Sequence, residues 1–562
     1  MANISIYGSH NASLVVEDKG EIKLVLEVER LLNSKNQGMA QYKTLRGDSL
    51  LLLSKLIIEY VKETTGINTF ENCYHLNTEV SHYGLHRIER LIPAKNYIPF
   101  HHHEAHAANA LYQSPFKEAL IFSFDGGGDD GKFNIYLGTK KESVKIIKKL
   151  ESDQLENKAY PWYDMGFPYM VFGEYLKDII KEDLGNGNLT YPGKIMGLAS
   201  YGVVNKRWLP HFKNFYDSNP GGEVITDEKG KITHLDYQLK IEKLGKKIKI
   251  KFDTNNRLEG KIAYNIAATS QKAFEEIFIE KITPYLEQYP KIPVCVTGGC
   301  GLNILLNTRL KKELNREFFV PPNPNDCGIA VGGLLHNIKP QKPIDITYSG
   351  PLLLDKHLLP ELIQNSPIAL RSYDLEINRL VDDLYKGLIV GVARGRSEHG
   401  PRALGNRSIL CDPSQKGMKD ILNMKVKNRE WYRPFAPVVR LEDVNKYFEW
   451  ETESRWMSFC PIVRKEWREK LSAITHIDNT ARVQTVTRKQ NKWLYDLLTK
   501  FEKKSGIGVL LNTSFNINGK PILSTVKDAF SILEKTQMDC LVLEDNYITK
   551  PITKPITKPI IK

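Results

Sequence analysis

The chain has 562 residues, 41% of them hydrophobic, which is enough for about three or four domain-sized cores. Its 79 basic and 66 acidic side chains leave a net charge of +13, an excess that draws anions such as phosphate esters, nucleic acid or an acidic surface, unless it serves solubility alone. No run of 18 apolar residues occurs, which excludes a membrane-spanning helix. The opening MANISIYGSH lacks the basic and apolar regions of a secretion signal. Seven scattered cysteines (Cys73, Cys295, Cys300, Cys327, Cys411, Cys460 and Cys540) form no CxxC pair. This argues against a disulfide framework or zinc ribbon and for a reducing, cytoplasmic setting.

Residues 4–7, 13–16 and 22–28 alternate or run apolar and predict three strands, with turns at Gly8 and at Asp18-Lys19-Gly20. His10 falls in the first turn. An imidazole there suits a general base, although a lone turn histidine is more often simply exposed. Residues 48–65 have helical spacing. The segment HHHEAHAANALY predicts a helix with His102 and His106, four apart, on one face and able to share an ion. No glutamate follows His102, which argues against a zinc protease. A third ligand has to come from afar, and Asp326 of PPNPNDCG is a candidate. A polar helix start or a satisfied buried network is the other reading of these histidines.

Residues 119–124 predict a strand ending in the turn Asp125-Gly126-Gly-Gly-Asp-Asp-Gly131, with a return strand over 132–137. Residues 293–297 predict another, broken by Gly298-Gly299 before a helix from Leu302. Two such turns suit the phosphate cradle of actin-like, sugar-kinase-like ATPases, whose backbone N–H groups face phosphate oxygens; each alone is also an ordinary tight turn. In 240–251, Lys247, Lys249 and Lys251 alternate with Ile248 and Ile250 and predict a strand with a lysine face, either an anion stripe or a charged edge. Strand, glycine turn and helix recur, so the class is α/β.

Three prolines in 338–351 mark the main boundary. They separate a unit over residues 1–345 from a second α/β unit over 346–545, and the Lys/Pro repeat within 546–562 predicts a flexible basic tail. The second unit holds RGRSEHGPRALGNR, where Arg394, Arg396, Arg402 and Arg407 are interleaved with glycines. Guanidinium forks beside exposed backbone N–H groups suit a phosphorylated ligand; a solvated basic loop is the alternative. The apolar 408–413 predict a strand that holds this loop at a rigid edge. Arg433 in RPFAP, His476 and Arg482 in THIDNTARVQ, and Asn512 and Ser514 in LNTSFN suit nucleotide recognition, with turns and caps as the other reading.

Taken in order, YGSHNAS, EVER, HHHEAHAANALYQSPF, SFDGGGD, GKIMGLASYG, TGGCGLN, PPNPNDCGIAVGG, HGPRALGNRSILCDP, YRPFAPVV, ITHIDNTARVQTV and VLLNTSFNINGKPI resemble the NodU/CmcH-type O-carbamoyltransferases nearly end to end. Asn11, Asn479 and His399 depart from that pattern, standing where aspartate, glycine and an aromatic are usual. The resemblance implies an actin-like N-terminal module of two ribonuclease-H-like halves, similar to tRNA threonylcarbamoyladenosine synthase. It implies a C-terminal module similar to the threonylcarbamoyl-adenylate-forming fold. ATP with magnesium and carbamoyl phosphate would give carbamoyl-adenylate, gripped by Arg402, Arg407, Arg433 and Arg482. His476, Asn512 and Ser514, and in the first module Asp125, Gly126, Gly298, Gly299 and Asn303, would contact nucleotide or phosphate. His102, His106 and Asp326 would bind iron(II) or another divalent metal, and His10 would deprotonate the acceptor hydroxyl.

The resemblance further implies a cytoplasmic monomer or homodimer with no membrane partner. It leaves the acceptor open: a hydroxymethylated base in DNA or a nucleotide, which the positive charge favours, or the hydroxyl of a sugar or other small metabolite. An actin-like sugar kinase is the alternative enzyme, and a non-enzymatic nucleic-acid binder the alternative outside catalysis.

Overall fold

The computed structural model describes residues 2–36, 38–39, 47–77, 92–150, 163–179, 187–217, 223–226 and 232–551. From residue 552 on, the Lys/Pro repeat lies outside them. The chain divides into two compact units: Met1–Val28 with Asn36–Ile346, and Glu29–Lys35 with Thr347–Lys562.

In the first unit the opening strands are β1 (Asn3–Tyr7), β2 (Ser13–Asp18) and β3 (Glu21–Glu27). Lys19 and Gly20, both at positive φ, make the two-residue turn that a right-handed hairpin twist favours. After the expected helix, Gly47–Thr65, come β4 (Phe70–Leu76) and β5 (Ala94–Phe100). Next are β6 (Glu118–Phe124), β7 (Phe133–Thr139), β8 (Ser143–Lys149), the hairpin β9 (Glu223–Thr226) and β10 (Ile232–Asp236), and then β11 (Val294–Thr297) and β12 (Phe318–Phe319).

Two five-stranded sheets result, β3-β2-β1-β4-β5 and β8-β7-β6-β11-β12. Each runs antiparallel, antiparallel, parallel, parallel in that order. One architecture is thus built twice. β6 is buried from Ala119 to Phe124, the continuous apolar run of a strand covered on both faces.

The lysine segment departs from its expected form. Tyr237–Ile248 is a helix. The Asp236 side chain caps it by accepting from the Leu239 N–H, and Ile241, Leu244, Gly245 and Ile248 are buried at i, i+3, i+4 and i+7. That apolar period outweighs the short Lys/Ile alternation at its end, where Lys249 closes the helix in the left-handed conformation. Lys240 is itself buried, so no lysine row lines a strand here.

The second unit contains β13 (Arg371–Asp374), β14 (Val390–Ala393), β15 (Arg407–Cys411), β16 (Ala436–Arg440), β17 (Gln484–Val486), β18 (Val509–Ser514), β19 (Cys540–Leu543) and β20 (Asn546–Thr549). They form one mixed sheet in the order β13-β20-β19-β14-β15-β18-β16-β17. Helices Ile377–Tyr385 and Lys492–Ser505 pack together beside it. Leu494, Leu497, Leu498 and Phe501, spaced as one helical face, join Leu380, Leu384, Val390, Val392 and Leu510 in the core. Among the described residues no helix is long and apolar enough to cross a membrane. All seven cysteines are free thiols.

Candidate functional site

The first unit gathers its polar chemistry where β1, β6 and the helix His102–Gln113 end or begin. Asp129 and Asp130, from the turn after β6, accept from the first N–H groups of that helix: Asp129 Oδ1 from His102 at 2.8 Å and Asp130 Oδ1 from His103 at 2.9 Å. Two carboxylates at a helix N-terminus satisfy donors that have no partner within the helix. Behind the helix, Gly332 of Ile329–Ile338 meets it so closely that a Cβ would stand 1.9 Å from the Ala105 carbonyl oxygen.

His102, His106, Asp125 and Asp326 bring one donor atom each to within 4.8 Å of one another. His102 Nε2 and His106 Nε2 are 3.2 Å apart. Asp125 Oδ2 lies 3.2 Å from His106 Nε2 and 3.7 Å from His102 Nε2. Asp326 Oδ1 lies 3.6 and 3.9 Å from the same two nitrogens. Two ligands each about 2.1 Å from one ion and set at roughly right angles to one another lie about 3 Å apart, which is the spacing the imidazoles show. Two nitrogens and two carboxylate oxygens form a donor set that fits a first-row divalent ion, and iron(II) is held elsewhere by two histidines and a carboxylate.

Burial works against every charge here, and the neighbours outweigh it. It lowers the His102 pKa, yet Asp326 and Asp125 raise it to about 9. It likewise lowers that of His106, which Asp125 and Asp326 bring above the ordinary value. It raises Asp125, which the two histidines hold well below the carboxylate range. His103 differs: burial pushes it down to about 4, and its ring is spent on Ser123 Oγ at 2.8 Å and the Gly131 carbonyl at 3.0 Å.

His10 joins this cluster, with Nε2 3.3 Å from Asp326 Oδ2. Its neighbour Asn11 sits at φ +57, and Asn479 of the second unit at φ +66, left-handed conformations that asparagine tolerates; glycine is usual at the second of these positions. The glycine turns are placed beside the cluster, but Asp125 takes two of their donors: Gly126 N–H at 2.6 Å and Gly299 N–H at 2.9 Å. Gly298, at φ +84, lies against the Phe124 carbonyl, where a Cβ would stand 2.1 Å away. Asn303 serves as a helix cap, accepting from Leu306 N–H at 3.1 Å and exchanging hydrogen bonds with Gln271.

In the second unit the guanidinium groups of Arg402, Arg429, Arg433 and Arg482 repel one another. Burial, then Arg433, lowers the Arg402 pKa to about 10. Burial with Arg402 and Arg433 lowers Arg482 well below its ordinary value, and burial with Arg433 and Arg482 does the same to Arg429. Among the described residues Arg402 and Arg482 have no hydrogen-bond or ion-pair partner, and Arg433 has Glu430 at 3.3 Å. Half-buried cations without counter-charge suit an anionic ligand.

Arg407 is not part of that grip. It is fully buried, and its two terminal nitrogens donate to the carbonyl oxygens of Arg394, Asn406, Pro351 and Gly395. Terminal nitrogens spent on four carbonyls brace the loop. Glu398 braces it from the other side, its Oε1 accepting from the N–H groups of Leu404, Asn406 and Arg407 at 2.6–3.2 Å. Asn512 is also internal, bonded to the Ala403 carbonyl and Gln484. Ser514 and Asn516 hold Lys427, a buried ammonium absent from the expected site. Burial, then Arg429 and Arg433, lowers its pKa well below the ordinary value. His476, buried, lies 3.5 Å from Asp478.

The fold and these residues define an α/β protein with a doubled sheet, a buried two-histidine, two-aspartate cluster and, in the second unit, a cluster of guanidinium groups. A family model described as Carbamoyltransferase N-terminus matches residues 9–335, and one described as Carbamoyltransferase C-terminus matches 381–550. The chain belongs to the carbamoyltransferase family. It is similar to Nodulation protein NolNO of Sinorhizobium fredii, 33% identical over 471 residues, covering 80% of this chain and 63% of that protein. It is also similar to Nodulation protein NolO of Bradyrhizobium diazoefficiens, 33% identical over 467 residues, covering 79% of this chain and 77% of that protein. Of solved structures, full-length HypF in a phosphate- and nucleotide-bound form shares 14% identity at a TM-score of 0.34, covering 60% of this chain and 46% of that one.

Proposed function

We propose that the chain is an ATP-dependent O-carbamoyltransferase whose second unit forms carbamoyl-adenylate and whose first unit passes the carbamoyl group to a hydroxyl. The observation that carries this reading is the pair of partnerless guanidiniums, Arg402 and Arg482, beside Arg433 in a chain of this family. Carbamoyl phosphate and ATP are polyanions whose oxygens would neutralise them. In their reaction one water breaks carbamoyl phosphate into carbamate and phosphate, and a carbamate oxygen bonds to the α-phosphorus of ATP as pyrophosphate leaves, which puts the carbamoyl group on AMP.

In the transfer step the acceptor oxygen bonds to the carbamoyl carbon, the bond from that carbon to the AMP phosphate oxygen breaks, and the acceptor proton goes to His10. Asp326 Oδ2, 3.3 Å away, stabilises the imidazolium that forms. His102, His106, Asp125 and Asp326 would hold a divalent ion, which when bound supplies fixed positive charge for the departing phosphate. The net charge of +13 favours a hydroxyl carried on an anion, such as a hydroxymethylated base in DNA or a nucleotide; a neutral sugar hydroxyl is the alternative.

The test is incubation with ATP, carbamoyl phosphate and candidate acceptors. Pyrophosphate release that depends on carbamoyl phosphate, and an acceptor heavier by one carbamoyl group, are expected. ADP release in place of pyrophosphate would point to the kinase reading.

A further inference from the structure

One buried polar group has no part in the chemistry above. Tyr7 is the last residue of β1, enclosed at 2% exposure, and its hydroxyl donates to Asp326 Oδ2 at 2.6 Å. The other oxygen of that carboxylate, Oδ1, is the one that faces His106 and His102 at 3.6 and 3.9 Å. A carboxylate has two equivalent oxygens, and rotation about its last bond exchanges them or turns both toward a cation. The phenol's own position is not free to follow. Its backbone is paired with Ser13 across the β1–β2 ladder, and its ring meets the edge of the His102 imidazole, centroids 6.1 Å apart at 70°.

We propose that Tyr7 is a positioning residue for the ion-binding cluster. Its hydrogen bond reserves Asp326 Oδ2 for Tyr7 and His10, so that Asp326 presents the single oxygen Oδ1 to the ion. Loss of a group that orients a ligand from behind typically weakens metal binding about 10- to 100-fold. The inference rests on reading His102, His106, Asp125 and Asp326 as a divalent-ion site.

Cobalt(II) titration of the metal-free, full-length protein tests it, followed by visible absorption, which reports both affinity and coordination. Tyr7→Phe is expected to bind cobalt about 10- to 100-fold more weakly than wild type, with an altered spectrum as Asp326 becomes free to offer both oxygens. Pyrophosphate release should be unchanged. Tyr216→Phe, which removes a comparably buried hydroxyl from its 2.6 Å contact with Ser270, should leave cobalt binding as it was. Tyr7→Leu removes the hydroxyl through a different shape and stands in if the phenylalanine variant does not fold; the same loss is expected. Wild-type affinity and spectrum in the Tyr7 variant would overturn the proposal, even with transfer abolished, since the hydroxyl would then act on substrate. Absence of cobalt binding by wild type itself would remove the ion-site reading and the proposal with it.

Discussion

Gly332 lies against the carbonyl oxygen of Ala105, so close that a Cβ would come within 1.9 Å. That oxygen belongs to the turn of helix between His102 and His106. The spacing of the two helices thus fixes where both imidazoles stand. Gly332→Ala must displace backbone rather than a flexible side chain, and overpacking of this kind costs about 1–3 kcal/mol. The expected result is a protein that still folds, melts lower and binds cobalt(II) more weakly. A lowered melting temperature with unchanged cobalt affinity would show that the ligand helix moves as a rigid body.

Arg402 and His106 should separate the two half-reactions. Arg402→Ala is expected to abolish pyrophosphate release that depends on carbamoyl phosphate. His106→Ala should retain much of that release while losing carbamoyl transfer, since its imidazole belongs to the other cluster. Equal loss of both activities in both variants would defeat the division of labour.

Arg402 and Arg407, five residues apart, should behave oppositely in unfolding experiments. Truncating Arg407 removes four hydrogen bonds from a buried loop, and Arg407→Ala is expected to cost about 3 kcal/mol or more in denaturant unfolding. Arg402→Ala removes a cation that its neighbours repel, so stability should hold or rise slightly, as is common where function and stability compete.

The ion site should compete with protons. Burial lowers the His102 pKa, but Asp326 and Asp125 lift it to about 9, so at neutral pH the metal-free imidazole carries a proton that an ion must displace. Apparent cobalt affinity should therefore rise about tenfold per pH unit for each proton released, levelling toward pH 9. The same sign governs the metal-free fold. A histidine whose folded pKa lies above its unfolded 6.5 stabilises fully below that value, and the contribution fades as pH rises through about 9. Calorimetric titration between pH 6 and 9 measures the first effect and thermal melting the second. A cobalt affinity flat across that range would mean the donors are not protonated at rest.

Much of this was legible in the sequence because local pattern carried it. Three opening strands, the helix over 48–65 and the shared face of His102 and His106 follow from period alone. Asp326, 220 positions beyond His106, is a candidate by its place in the turn PPNPNDCG and is matched to the two histidines by the family resemblance, since no spacing rule reaches that far. Asp125 was read as part of a phosphate turn, because an aspartate before three glycines looks the same whether it faces a phosphate or a histidine. Arg407 reads by its charge as a phosphate ligand, while its terminal nitrogens go to carbonyl oxygens. Its place at the head of the apolar strand RSILC was the available sign that it would be buried. Lys427 and Tyr7 carried no signal: one is a lysine in a lysine-rich stretch, the other the last residue of an ordinary strand. The lysine segment is a helix because its apolar period from Ile241 to Ile248 outweighs the five alternating residues at its end.

The short segment Glu29–Lys35 groups with the second unit although both its flanks belong to the first. From it, Arg30 donates to the carbonyl oxygens of Glu398 and Gly400, within the arginine loop itself. Asn33 bonds Asp528 at 2.9 Å, and its carbonyl accepts from Lys520 at 3.2 Å. The two units are therefore not interchangeable cassettes. A gene cut at codon 346 would yield a C-terminal fragment whose loop lacks its clamp, and an N-terminal fragment carrying that clamp with nothing to hold. Recombination between relatives would have to exchange seven codons near the start together with the whole second half, which ties the two halves to a common inheritance.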